Sequence, residues 1–178
     1  MKNYTLIFIF LLLGLYSCNK EDNLTPEERL PPATQTGQGI FAGLVNGELF
    51  NDTNGRYFNC YYQFVNGGYY FFIEGTDETN RIVDINLSTN NKEIFEGETY
   101  NMSDNIEGNA WAGGYFIISN GEGKLVSTSS ENLGSLTITK LDFENRIVSG
   151  TFEFDLIHPN TGEVIEIRQG RFDTLFTQ

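Results

Sequence analysis

His158 is the chain's only histidine and Cys60 its only thiol besides Cys18, so nucleophilic or general-base chemistry has few residues to draw on. The histidine falls in His158-Pro159-Asn160-Thr161-Gly162, residue types that a tight turn selects for backbone geometry. It is read as a turn residue, since a general base needs a partner within hydrogen-bond reach. One histidine and one spare cysteine cannot supply the three or four ligands of a zinc site, and no metal or cofactor is expected. Cys60 lies in phase with Phe58, Tyr62 and Phe64, which places it on an inward face as a small buried side chain. The 24 acidic residues could furnish a carboxylate pair for glycoside hydrolysis, about 5 to 10 Å apart across a cleft. Any acidic β protein offers such pairs by chance, so the chain is read as non-enzymatic. Oxygen donors for calcium gather in Asn51-Asp52-Thr53-Asn54-Gly55 and Asp77-Glu78-Thr79-Asn80. Neither stretch has the spacing of a twelve-residue calcium loop, and both read as structural turns.

Aromatic side chains offer a different chemistry, stacking. Nine Tyr, fifteen Phe and one Trp are present, with Trp111 set among small residues in Asn109-Ala110-Trp111-Ala112-Gly113-Gly114, read as a loop. A tryptophan so placed can stack on a sugar ring or a partner's apolar group, or plug the end of the fold. Tyr61 shares its phase with Asn59 and Gln63, a wet face, and an exposed tyrosine flanked by amides suits contact with a glycan or a protein. Asp173-Thr174-Leu175 resembles the acceptor pattern for O-glycosylation in exported Bacteroidetes proteins, with Thr174 as acceptor and plain strand filler as the alternative.

The clearest signal is an address. Lys2, an apolar stretch from Leu6 to Leu15 and the small Ser17 make a secretory leader over residues 1–17, too short to span a bilayer. Leu15-Tyr16-Ser17-Cys18 resembles the bacterial lipobox, which implies cleavage before Cys18 and acylation of its thiol. At roughly 0.8 kcal/mol per buried methylene, two or three acyl chains would hold the protein on a membrane. Asn19-Lys20-Glu21-Asp22 resembles the export signal of Bacteroidetes surface lipoproteins, which implies the outer membrane and its outward side. Residues 18–38 read as the lipidated N-terminus and a disordered linker, spanning on the order of 25 Å as a flexible coil.

Residues 39–178 then form one domain, large enough to bury a core. Without Lys2, ten basic side chains face the 24 acids, a charge of about −14 that excludes nucleic acid as partner, because phosphate binding needs clustered Lys and Arg. With Cys18 acylated, Cys60 has no disulfide partner.

Period-two alternation recurs along the domain while a 3.6-residue period does not. Val83, Ile85 and Leu87 alternate with Asp84, Asn86 and Ser88, and Val148, Phe152 and Phe154 with Ser149, Thr151 and Glu153. About nine or ten strands are predicted, near 40–46, 48–51, 57–65, 69–74, 81–88, 98–101, 114–119, 124–127, 134–141, 146–157 and 163–175. Asn46-Gly47 and Asn66-Gly67 supply the positive φ that two-residue hairpins require. The fold class is all-β, an antiparallel β-sandwich or partly closed β-barrel with no substantial helix. Tyr69-Tyr70-Phe71-Phe72-Ile73 and Tyr115-Phe116-Ile117-Ile118 are apolar on both faces, which fits strands covered on both sides, a barrel interior or an exposed aromatic platform.

The start, Leu30-Pro31-Pro32-Ala33-Thr34-Gln35-Thr36-Gly37 then Phe41-Ala42-Gly43-Leu44-Val45-Asn46-Gly47, resembles that of a Bacteroidetes lipoprotein family with a domain of unknown function. So do the closing runs Leu136 to Asp142, Val148 to Phe154 and Ile167 to Asp173. The resemblance implies a cell-envelope β domain and brings no catalytic residues with it. The expected function is a non-catalytic binding or adhesion module for glycan or protein. Alternatives are a structural or partner subunit of an envelope complex, a carboxylate hydrolase, or a lipocalin-like carrier whose interior Phe71, Phe152 and Phe154 would line.

Overall fold

A computed structural model describes residues 24–52, 59–118 and 121–178. These hold eleven strands: β1 (Ile40–Val45), β2 (Glu48–Asn51), β3 (Asn59–Val65), β4 (Gly68–Thr76), β5 (Ile82–Thr89), β6 (Thr99–Met102), β7 (Ala110–Ile117), β8 (Gly123–Ser127), β9 (Gly134–Asp142), β10 (Ile147–Ile157) and β11 (Val164–Leu175). All belong to one strongly curled sheet, a half-barrel ordered β2-β1-β11-β10-β9-β6-β7-β5-β4-β3, with β8 added on β7. The barrel alternative therefore holds over the sandwich. Pairing between the named strands is antiparallel except where β6 meets β7, Met102 beside Ala110, and a second parallel contact joins Tyr61 to Thr177. The tail returns to the far edge: Tyr62 N donates to Thr177 O at 2.9 Å and Thr177 N to Cys60 O at 3.1 Å.

Turn chemistry sets the local register. Asn46 and Gly47 at φ 50° and 82°, and Asn66 and Gly67 at φ 52° and 86°, are the positive-φ pairs of two-residue hairpins. Closing the second hairpin at Val65 and Gly68 forces Tyr61 opposite Phe72 and Gln63 opposite Tyr70.

Curl comes from glycines that let phenylalanine rings lie across neighbouring strands. A methyl group at Gly170 would collide with the Phe152 ring, one at Gly150 with Phe172, and one at Gly75 with Phe41. The rings so placed fill the interior: Phe41 and Phe152 centroids lie 5.1 Å apart, Phe152 and Phe154 6.1 Å, Phe71 and Phe172 6.0 Å. Phe71, Phe152 and Phe154, the side chains a carrier would arrange around empty volume, are packed into this ring cluster.

Three expectations need correction. The Trp111 segment is strand, not loop, because β7 begins at Ala110 and pairs with β5 through Trp111 and Ser88. Its glycines mark close packing: a side chain at Gly113 would meet Asn86 Oδ1 at 2.6 Å, and one at Gly114 would meet Leu156 Cδ1 at 2.7 Å. The apolar runs are not covered on both sides, since Tyr70 and Phe72 are half-buried and Ile117 is 56% exposed. The linker, finally, is ordered where it is described. Thr25 caps one helical turn, α1 (Pro26–Arg29), by exchanging hydrogen bonds with Glu28. Farther on, residues 34–38 are fastened to Asp173 on β11. That carboxylate is 1% exposed and accepts from Thr34 Oγ1 (2.6 Å), Thr36 N (3.0 Å), Gly37 N (2.8 Å), Gln38 N (3.2 Å) and Ser149 Oγ (2.8 Å). A buried carboxylate has to be satisfied, and the strap supplies four of these five donors.

Candidate ligand-binding face

Outward-pointing residues of β3, β4, β5 and β7 fall into rows across the strands. One row is Tyr61, Phe72, Ser88 and Trp111, each opposite the next. Tyr61 and Phe72 stack with centroids 5.2 Å apart and planes 14° from parallel. Trp111 stands across the small Ser88, and its indole lies over Gly113. The row thus has an aromatic wall at each end and a low floor between them. The floor is deep, with Ser88 and Asn86 4% and 5% exposed although both point outward.

A trough of about 360 Å³ follows from this profile, lined among others by Tyr61, Tyr70, Phe72, Asn90, Asn105 and Trp111. A second, of about 310 Å³, runs toward the hairpin tip and is lined by Tyr61, Gln63, Val65, Asn66 and Tyr70. Both lie at the small end of the ligand-site range of about 300 to 1,000 Å³. Burial pushes the Tyr61 phenol upward in pKa, so it is a protonated hydroxyl at neutral pH. Asn90 Nδ2 donates to Asn105 Oδ1 at 3.1 Å, which ties the loop before β7 to the end of β5 at the trough's rim.

Tyr61 and Trp111, far apart in sequence, are therefore brought to one trough. Tyr70, Phe72, Asn90 and Asn105 were missed by sequence reasoning, although the Asn66-Gly67 turn carried the signal for Tyr70 and Phe72. Thr174 is placed elsewhere, 4% exposed on β11, its hydroxyl turned to Leu175 O at 3.3 Å, so the folded domain does not present it as a glycosylation acceptor. Cys18, Lys20, Glu21 and Asp22 lie outside the described residues, as do Thr53, Asn54 and Gly55.

Chemistry-bearing residues elsewhere are engaged in structure. His158 Nδ1 accepts from the backbone of Asn160 and Thr161 at 3.4 and 3.2 Å, and its ring meets Phe116 edge-on at 5.3 Å. Cys60 is 6% exposed and its thiol is pushed far up in pKa by burial, away from the reactive thiolate. Asp77 accepts from Thr79 N and Oγ1 and from Asn51 N, while Asp52 accepts from Thr76 N, so the two acidic loops lock onto each other. Among the described residues no three His, Cys, Asp or Glu side chains gather to hold a metal ion.

Fold and face together define an all-β half-barrel with an aromatic trough on its outer surface. Compared with known families, curated proteins and solved structures, the chain matches none.

Proposed function

We propose that this chain is a lipid-anchored protein of the outer membrane, displayed outward, whose β domain binds a glycan or protein ligand without chemistry. The observation that carries the binding role is the row Tyr61-Phe72-Ser88-Trp111, with aromatic walls set apart by a small floor residue and amides at the rim. Half-buried rings in a concave site bring large contact area with little conformational entropy to lose. The anchor and the outward side rest on Cys18 and on Lys20-Glu21-Asp22, whose patterns resemble the lipobox and the surface-export signal.

Trp111 is the chain's only tryptophan, so its fluorescence reports on the trough alone. Ligand candidates that bind there shift its emission saturably, and Tyr61→Ala removes the shift while the melting curve stays cooperative. A ligand that binds without moving the emission refutes this site. Protease shaving of intact cells tests the address: the domain is lost while a periplasmic control survives, and protection overturns outward display.

A second reading, a partner subunit of an envelope complex, is favoured by one feature. Tyr115, Ile117 and Leu125 on β7 and β8 are 37%, 56% and 63% exposed, an uncovered apolar group on the same outward face. It predicts co-purification with envelope proteins that Leu125→Glu abolishes.

A further inference from the structure

Resting on the binding role just proposed, we infer that the ligand is a neutral oligosaccharide occupying two consecutive ring subsites, one in each trough, with Tyr61 and Tyr70 as the wall between them.

Charge decides the first part. Every residue lining either trough is uncharged, in a chain where 20% of residues are charged and acids outnumber bases 24 to 11. A uronate, sulfate or sialic acid would have to shed water against aromatic rings and amides with no cation to receive it, inside a net negative field. A neutral pyranose needs only what is present, ring faces for its C–H surface and amide or phenol groups for its hydroxyls.

Backbone accounting favours a sugar over a peptide. Extended peptides bind sheets by adding a strand to a free edge. The strands beneath the first trough are paired on both sides at this level: β4 lies between β3 and β5, β5 between β4 and β7, and Thr177 bridges to β3 at Tyr61. A peptide laid over the rings would leave its own N–H and C=O groups without partners, whereas a glycan has no such groups along its chain.

The two-subsite geometry follows from shared walls. Gln63 lines only the trough toward the hairpin tip and Trp111 only the other, while Tyr61 and Tyr70 line both. Truncating the shared wall should therefore harm both subsites, and truncating Gln63 or Trp111 only one.

The test titrates the full chain in detergent with neutral gluco-, manno- and xylo-oligosaccharides of one to six rings, beside uronate and sulfated oligosaccharides, by calorimetry and Trp111 emission. Affinity should rise at least tenfold from one ring to two or three in a neutral series and then level off. Gln63→Ala should erase most of that gain while leaving single-ring binding within twofold, and Tyr61→Phe, which keeps the ring, should retain binding that Tyr61→Ala loses. Tighter binding of anionic oligosaccharides overturns the neutral ligand and leaves the binding role standing. Affinity independent of length overturns the paired subsites. If no glycan of either panel binds, and a captured protein ligand is released by Trp111→Ala, the ligand is a protein and this inference falls while the binding role survives; loss of all Trp111-dependent binding removes both.

Discussion

The two halves of the curled sheet use their outward faces in opposite ways. On β9, β10 and β11 several outward side chains are committed to one another or to the N-terminal segment. Arg168 pairs with Asp155 at 2.6 Å and Glu166 at 3.2 Å and donates to Phe154 O, while Arg171 reaches Pro31 O and Asp173 holds the strap. Of the two hollows on that side, one of about 260 Å³ is lined by Glu153 and the paired Asp155 and Arg168, and one of about 420 Å³ by Thr137, Thr151, Glu153, Gln169 and Arg171, so both carry charged side chains. On β3, β4, β5 and β7 the outward positions around the Tyr61-Phe72-Ser88-Trp111 row are rings, amides and small hydroxyls, with two uncharged troughs between them. One half uses polar groups to hold the N-terminal segment and lines its hollows with charge, while the other presents rings and amides in uncharged troughs.

Breaking the clamp gives the largest expected effect. Asp173→Ala removes the acceptor of five hydrogen bonds and strands Ser149 and the strap amides, for a loss on the order of 3 to 5 kcal/mol in urea unfolding. Burial alone would push the Asp173 carboxyl up, but donors from Thr34, Gly37, Thr36 and Ser149 hold it below the ordinary 3.8. Since the folded pKa is the lower one, this stabilisation is complete above 3.8 and fades as pH falls below it. Asp173→Asn should lack that acid-side loss. Ligand affinity at the troughs should be unchanged below the melting transition, and a coupled loss would show that the halves are not independent.

Trp111→Ala is the converse cut. It should weaken binding by about thirtyfold, near 2 kcal/mol as for a central aromatic contact, with a stability loss of about 1 kcal/mol because the indole is half-buried. Calorimetry and thermal melting on one preparation separate the two numbers. A stability loss above the binding loss would make Trp111 a structural cover over Asn86 and Ser88.

How far this division was legible depends on sequence distance. Alternation and Asn-Gly turns located the strands, and the Asn66-Gly67 hairpin alone implies the Tyr61 and Phe72 pair. The other half of the row, Ser88 opposite Trp111, joins strands separated by β6 and its loops, a pairing no local pattern encodes. The same small residues that made the Trp111 segment read as a loop are required in the strand, where Asn86 and Leu156 occupy the space of the missing side chains. The strap is a long-range case too. Leu30 to Gly37 and Gly170 to Asp173, two motifs at opposite ends of the sequence, contact each other through Asp173 and Arg171. Composition alone assigned the first of them to disordered linker, because a Pro- and Thr-rich segment carries no hydrophobic period to betray a buried carboxylate waiting for its amides.

Glu74 stands at the edge of the aromatic half. It follows Phe72 on the outward side of β4, and burial, then the neighbouring Asp84, push its carboxyl up. The raised folded pKa means that the charged form is disfavoured in the fold, so its cost is present at neutral pH and disappears as pH falls toward 4.5. Glu74→Gln should raise stability at pH 7 by a few tenths of a kcal/mol and leave it unchanged at pH 4, read from paired melting curves. A destabilised variant at pH 7 would mean that the charge is used, which would bring an acid into the troughs' surroundings.

The smallest effect is expected where the halves meet on the surface. Arg81, just before β5, reaches Glu163 in the turn between β10 and β11 at 3.3 Å, with side chains 51% and 48% exposed. Pairs of this kind are worth about 0.2 to 1 kcal/mol and are screened by salt. Arg81→Ala should therefore cost about 0.3 kcal/mol at low ionic strength and clearly less in 0.5 M salt, where the Debye length shrinks to about 4 Å, close to the pair's own separation. The interior contact between the same halves, the Phe41 ring from β1 against Gly75 of β4, is apolar and indifferent to salt. A loss above 1 kcal/mol that survives in salt would place the coupling of the halves at this rim, and the packed rings could then no longer be what holds the curl together.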